Sequence, residues 1–221
     1  MVDIFDEVDE DLRAERLQKL LVRYGAWLGG AVLLVIAGAG AWQAWKWYQL
    51  RQDRAVASVY LAAMRDAGEQ SEPVAAPDPK AAIAAFARVA ASGSPGYRPL
   101  AKLQEAALRA DTGDLPGALA LWDAVAADSA ASPILRSLAS LLWVQHQIDQ
   151  GDPSLLAARL APLMSPDSPW RPLAEEAQAL LDQRQGKTKE AEALWQGLAQ
   201  DVTIPTGVRE RASAMLARLG G

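Results

Sequence analysis

The sequence contains no cysteine and a single histidine, His146. Without cysteine the chain can form neither a disulfide nor a thiolate metal site, and one histidine cannot build a multi-histidine site. We therefore expect no metal and no cofactor. The chain also lacks a G-x-S-x-G motif, a glycine-rich phosphate loop and an H-E-x-x-H motif. His146 is interpreted as a surface or interhelix residue rather than a catalytic base, so the sequence indicates a protein that is not an enzyme.

Outside residues 24–48, runs of β-branched residues of strand length are scarce, and no basic face stands out. Alanine and leucine are abundant, while proline and glycine fall mostly between apolar blocks, a pattern that favours helices. The formal net charge is −5, and the sequence shows no basic surface of the kind that binds nucleic acid. We predict an all-α protein that binds neither nucleic acid nor a small-molecule substrate.

Residues 24–45, between Arg23 and Lys46, carry no charge. As a helix this stretch would be roughly 33 Å long, close to the hydrocarbon thickness of a bilayer. Aromatic residues mark both edges, as the aromatic belts of membrane helices do: Tyr24, Trp27, Trp42, Trp45, Trp47 and Tyr48. We predict a single transmembrane helix over residues 24–48, in contact with the lipid bilayer.

Two other interpretations of this stretch stay open. One is a buried helix of a soluble protein, although such helices seldom stay uncharged for so long. The other is a cleavable signal peptide, because Ala37-Gly38-Ala39 resembles a small-residue cleavage site. Against it, the preceding arm is long and net acidic, whereas secretory n-regions are short and basic. The flanking Lys and Arg residues balance, so charge alone leaves the orientation undecided. Gly25 and Gly29 form a small-xxx-small pair, a candidate contact for another membrane helix.

The arm at residues 1–23 mixes acidic residues with apolar ones. Phe5, Val8 and Leu12 would share one face of a helix. We interpret the arm either as a solvated, partly helical tail or as a docking helix for a cytoplasmic partner.

Beyond the predicted membrane helix, residues 49–221 form a predicted repeat domain with a proline-containing loop at 68–80. Its main feature is an internal repeat, in which Tyr97-Arg98-Pro99-Leu100-Ala101 reappears as Trp170-Arg171-Pro172-Leu173-Ala174. Each unit is predicted to run as helix, turn, helix, with a left-handed glycine ending the first helix. The turn glycines are separated by about half of the distance in sequence between Tyr97 and Trp170: Gly113, Gly151 and Gly186. We expect roughly seven or eight helices and no sheet.

These units resemble the tetratricopeptide repeat, which implies an α-solenoid. The small, turn, small and aromatic positions of that repeat are matched twice, at Ala106, Gly113, Ala118 and Trp122, and at Ala179, Gly186, Ala191 and Trp195. The middle unit departs from the pattern, because Leu156 and Leu160 stand where the alanine and the aromatic belong. We expect Trp122 and Trp195 to be interior packing residues.

The combination of acidic arm, membrane helix and degenerate repeats is similar to the ancillary SecYEG translocon subunit family, whose repeat domain is related to that of cell division coordinator proteins. The resemblance implies a bacterial inner-membrane protein, with residues 1–23 in the cytoplasm and the repeat domain in the periplasm. It implies the translocon and exported polypeptides, or other periplasmic chaperones, as partners, with chaperone-like handling of exported proteins. The alternative is a membrane-tethered structural scaffold for cell-envelope or division complexes.

In this repeat type, the first helix of each unit lines the concave face. Counting back from the turn glycines predicts a mostly aliphatic protein-binding groove at Leu100, Leu103, Ala107, Leu138, Leu141, Gln145, Ile148, Leu173, Glu176 and Leu180. Such a surface would hold an extended or helical apolar segment weakly, as a chaperone-like holder requires. The alternative is that several of these leucines pack against the neighbouring helix or against the loop at 69–80.

Overall fold

The computed structural model describes residues 4–68 and 78–219. Along the first helix, the surroundings of side chains are described at residues 27, 30, 33–48, 51 and 54–68. The predictions for the side chains of the arm, and for most of the loop at 68–80, fall outside the described residues. The chain divides into two units, Met1–Arg54 and Ala55–Gly221.

Helix α1 runs from Ile4 to Asp66. In the first unit, every described side chain from residue 33 to 48 is exposed, including Leu34 at 76% and Trp42 at 65%. None of the helices, taken over the residues that the structure describes, offers an apolar stretch of the length that a bilayer crossing requires. The predicted span at 24–48 includes residues whose surroundings are not described, and the transmembrane assignment stays a prediction.

The second unit is a stack of helices that pack in chain order. After the end of α1 come eight α-helices: α2 Pro79–Ser92, α3 Tyr97–Asp111, α4 Leu115–Ala126, α5 Pro133–Gln145, α6 Pro153–Leu160, α7 Arg171–Arg184, α8 Thr188–Gln200 and α9 Thr206–Leu219. A short 3-10 helix, Ala161–Met164, extends α6. The described residues contain no strand, and each helix contacts the next along the chain. The predicted helix number is confirmed.

Three clusters of buried apolar side chains form the core of this unit. The first joins the end of α1 to α2 and α3, where the Tyr60 ring lies 5.4 Å from that of Phe86 and 5.6 Å from that of Tyr97. The second extends from α3 to α7, and the third holds α7, α8 and α9 together. Each cluster is shared by adjacent helices, so the repeats have no separate cores.

The two repeated tryptophans occupy equivalent core positions. Trp122 on α4 and Trp195 on α8 are 0% and 1% exposed, and Ala118 and Ala191, one helical turn earlier, are fully buried. Phe86 on α2 is also fully buried. An alanine allows the paired helices to approach closely, and the aromatic ring fills the space between units. The prediction that these tryptophans are interior packing residues is confirmed.

The turn glycines follow the predicted geometry in two of three units. Gly113 and Gly186 have φ values of +91° and +74°. In both turns the glycine N–H donates to the carbonyl three residues back, and the next N–H donates to the carbonyl five residues back, which is the Schellman pattern. The prediction of a left-handed turn is wrong at Gly151, which is not among the glycines with positive φ. A β-carbon there would lie 2.9 Å from the Gln147 carbonyl oxygen, so close packing requires this glycine.

Candidate protein-binding face

The first helices of the units share one side of the stack. Helix α3 contacts α5, α5 contacts α7, and α7 contacts α9, in addition to the contacts between neighbours in sequence. We call the surface formed by α3, α5, α7 and α9 the first-helix face. Helix α9 occupies the first-helix position of a fourth unit. This arrangement places side chains from three different repeats around a common groove.

The groove between α5, α7 and α9 has a volume of about 260 Å³. Its lining combines aliphatic and polar side chains: Gln145, Ile148, Glu176, Ala177, Leu180 and Arg211. Small-molecule sites are larger as a rule, from about 300 to 1,000 Å³. The groove lies just below that range and has room for one large apolar side chain of a polypeptide.

An ion pair forms the polar wall of the groove. Arg211 on α9 donates from Nε to Glu176 Oε1 over 2.6 Å and from Nη2 to Glu176 Oε2 over 2.7 Å. The side chain of Glu176 is 12% exposed, whereas that of Arg211 is 56% exposed. The hydrogen bond to Glu176 raises the pKa of Arg211 above its usual value, so the guanidinium stays charged. This two-pronged contact ties α9 to α7 and fixes one side of the groove.

Four of the ten predicted groove residues converge here, namely Gln145, Ile148, Glu176 and Leu180. Two others, Leu103 and Leu141, are 7% and 1% exposed and belong to the core cluster of α3 to α7. Four more are partly buried: Leu100, Ala107, Leu138 and Leu173. Leu138 and Leu173 pack against the core cluster. For four of the predicted groove leucines the alternative therefore holds, because they pack against neighbouring helices: Leu103, Leu138, Leu141 and Leu173.

The sequence prediction did not include Ala177 or Arg211. Arg211 lies 35 residues after Glu176, which is the step that separates Arg136 from Arg171 in successive units. Extending the repeat by one more step would have assigned α9 as a first helix and placed Arg211 on this face. The surroundings of Gly25 and Gly29, the predicted membrane-helix contact, lie outside the described residues.

His146 is exposed and its ring packs against a residue of another helix, in line with the prediction of a surface or interhelix residue. Its ring lies 4.4 Å from the ring of Trp122, and Nδ1 lies 2.9 Å from the Leu142 carbonyl oxygen. Within the described parts of the chain, no group of His, Asp or Glu side chains is close enough to hold a metal ion.

The stacked helix pairs and their shared face define a helical-repeat protein. A family model described as a tetratricopeptide repeat-like domain matches residues 19–211. The chain therefore belongs to the tetratricopeptide repeat-like domain family. Comparison with curated proteins gives no match, and neither does comparison with solved structures. Domains of this family are typically non-catalytic modules that bind other proteins, and no catalytic family is found for this chain.

Proposed function

We propose that this chain is a membrane-anchored accessory factor of the SecYEG translocon, and that its first-helix face holds segments of exported polypeptides in a chaperone-like way. The groove between α5, α7 and α9 is the observation that carries the binding half of this proposal. Ile148, Ala177 and Leu180 give it an apolar floor, and Gln145 and the Glu176–Arg211 pair give it a polar rim. An apolar side chain can enter such a groove while the rim contacts the peptide backbone around it.

The membrane anchor is supported by the N-terminal part of the chain, Met1–Arg54. Residues 24–45 carry no charge, and the described side chains between 33 and 48 are exposed on the helix. Contiguous exposed apolar surface of this kind calls for a covering, which a bilayer supplies. We propose an inner-membrane location with the repeat domain in the periplasm, in line with the family resemblance. Protease added to spheroplasts should then digest the repeat domain, and protection of the domain would contradict this orientation.

The groove is tested with a matched pair of exposed leucines. Leu180 lines the groove and is 37% exposed, whereas Leu155, on the second helix α6, is 47% exposed and lies outside the groove lining. A photoreactive residue at each position in the full chain, followed by crosslinking in intact membranes, compares the two sides of the stack. We expect client or channel polypeptides to crosslink from position 180 and not from position 155.

The substitutions Leu180→Asp and Leu155→Asp extend this test to affinity. Leu180→Asp removes an apolar contact that the bound polypeptide would bury, so it should weaken binding about 10- to 100-fold. Leu155→Asp should bind as the parent does, and both variants should stay helical because both positions are exposed. Equal crosslinking from the two positions would contradict binding at this face. Crosslinks confined to wall-synthesis or division proteins would replace the translocon role with a scaffold role.

A further inference from the structure

Two cation–aromatic pairs lie at the C-terminal end of the exposed apolar segment of α1. The ammonium of Lys46 lies 5.9 Å from the ring centre of Trp42, and the guanidinium carbon of Arg51 lies 3.9 Å from that of Trp47. Both tryptophans are more than half exposed. In each pair the partners are four residues apart, so they lie on the same side of the helix. We call these four side chains the collar.

The two pairs of the collar lie on different sides of the helix. Trp42 and Trp47 are five residues apart, and five residues turn an α-helix by about 140° beyond a full revolution. Lys46 and Arg51 are therefore presented on different sides of α1, about 7.5 Å apart along its axis. A flat protein surface would meet one of the pairs and leave the other, whereas a continuous layer around the helix meets both.

Charge around the collar has one sign. Between Glu15 and Asp53 the sequence has no acidic residue, and all of its charged side chains in that interval are basic. Asp53 is two residues from Arg51, a spacing that places the two side chains on different faces of a helix. Asp53 is also seven residues from Lys46, on the same face but two turns or about 10 Å farther along the axis. The nearest acidic side chain therefore offsets the positive charge of the collar only in part, and the collar complements an anionic ligand.

Stacking leaves the cations able to bind. A guanidinium that lies over an indole ring uses its flat face, while its N–H groups point outward in its own plane. Those N–H groups can donate in pairs to the oxygens of a phosphate. Tryptophan rings prefer the headgroup level of a bilayer, which places such phosphates beside the cations.

We propose that the collar, formed by Trp42, Lys46, Trp47 and Arg51, binds the phosphate headgroups of anionic membrane lipids. This inference rests on the membrane anchoring proposed above and adds a lipid preference to it. Each cation close to an anionic bilayer surface strengthens the association by about 5-fold, and the effect weakens as salt is raised.

The test uses the full chain in bilayers of mixed phosphatidylcholine and phosphatidylglycerol. Brominated lipid of either kind quenches tryptophan fluorescence in proportion to its local concentration around the rings. In the parent chain, brominated phosphatidylglycerol should quench more strongly than brominated phosphatidylcholine at the same mole fraction, with a several-fold ratio of association constants. The double variant Lys46→Gln, Arg51→Gln should bring that ratio close to one.

The control is a second double variant with the same change in net charge, Lys80→Gln, Lys189→Gln. Both lysines are exposed, and they lie on α2 and α8, far from the collar in sequence. It should keep the preference of the parent chain. Equal quenching of the parent chain by the two lipids would overturn the collar while leaving the anchor in place. Loss of the preference in both double variants would also overturn it, because net charge and not position would then decide. Absence of quenching by either lipid would overturn the membrane anchor, and the collar with it.

Discussion

The outer repeat units and the middle unit solve the same packing problem in different ways. In the units α3–α4 and α7–α8, a left-handed glycine ends the first helix and a buried tryptophan on the second helix fills the space between units. In the unit α5–α6, Leu160 takes the tryptophan position and Gly151 does not adopt positive φ. The outer units therefore combine a left-handed turn with a large aromatic on the second helix, and the middle unit has neither feature.

The outer turns also share a side-chain linkage whose charge is reversed. In one, Arg109 donates to Glu105 over 2.7 Å and to Asp114 over 3.0 Å. Seventy-three residues later in the sequence the same three positions hold Gln178, Asp182 and Lys187. Gln178 donates to Asp182 over 3.0 Å, and the Lys187 ammonium lies 3.8 Å from the Asp182 carboxylate. The linkage between the end of one helix and the start of the next is kept with either sign of charge.

The middle unit is held by residues of its neighbours. Arg184, on α7, donates to the Ile148 carbonyl oxygen over 2.5 Å and to the Gly151 carbonyl oxygen over 2.6 Å, just past the C-terminal end of α5. Arg159, on α6, stacks over Trp143 at 3.7 Å and pairs with Asp123 of α4 at 2.7 Å. The large aromatic of this unit thus lies on its first helix, and the links that hold it reach across unit boundaries.

The largest effect should come from the tryptophans of the outer units. Trp122→Ala or Trp195→Ala should lower the free energy of unfolding by about 3–5 kcal/mol, because each removes a fully buried ring from a shared core. Urea denaturation of the purified chain measures this. The indole N–H of each has no acceptor among the described residues, so Trp122→Phe and Trp195→Phe should cost much less. If the alanine variants unfold like the parent chain, the proposed equivalence of the two units is wrong.

The repeat period was predictable because its signals are local. A glycine that ends a helix, and a small and an aromatic residue at fixed distances after it, belong to one turn and one helix. The division of the first helices into groove and core was only partly predictable. Each first helix packs against its own second helix and also against neighbouring first helices, so its apolar stripe is wider than the groove. Leu103 and Leu141 therefore lie in the core, although their spacing matches that of groove residues.

The second test separates the two kinds of glycine. Around Gly186 a β-carbon would meet no atom within 4 Å, so Gly186→Ala should cost about 1–2 kcal/mol through backbone conformation alone. Gly186→Asn should recover part of that loss, because asparagine tolerates the left-handed region. At Gly151 the clash with Gln147 is steric, so Gly151→Asn should be no better than Gly151→Ala. Thermal unfolding of the four variants provides the comparison, and asparagine rescue at position 151 would remove the distinction.

A smaller effect should follow when the middle unit loses its link to the next unit. Arg184→Gln removes the charged donor from the Ile148 and Gly151 carbonyls and should cost about 1 kcal/mol, since the side chain is exposed. Lys187→Gln is the control from an outer turn. Its ion pair is long and half exposed, so the cost should stay within about 0.5 kcal/mol. Equal losses in the two variants would mean that the middle unit does not depend more on its neighbours.

The smallest effect concerns the aspartate that begins the second helix of the middle unit. Asp152 accepts hydrogen bonds from the Ser154 hydroxyl and from the backbone N–H of Leu155, and these lower the pKa of its carboxyl. Because the folded-state pKa is below the unfolded value, the charged cap adds stability above the unfolded pKa of about 3.8. That contribution is lost as the pH falls through the folded-state pKa.

Asp152→Asn cannot titrate, so the parent chain should melt higher than this variant near neutral pH, and the two melting temperatures should converge as the pH falls below about 4. Ser154→Ala removes the largest cause of the lowered pKa and should shift the convergence to higher pH. A difference between parent and Asp152→Asn that stays constant from neutral to acid pH would show that the charge of Asp152 adds nothing to the cap, and that the helix start depends on its hydrogen bonds alone.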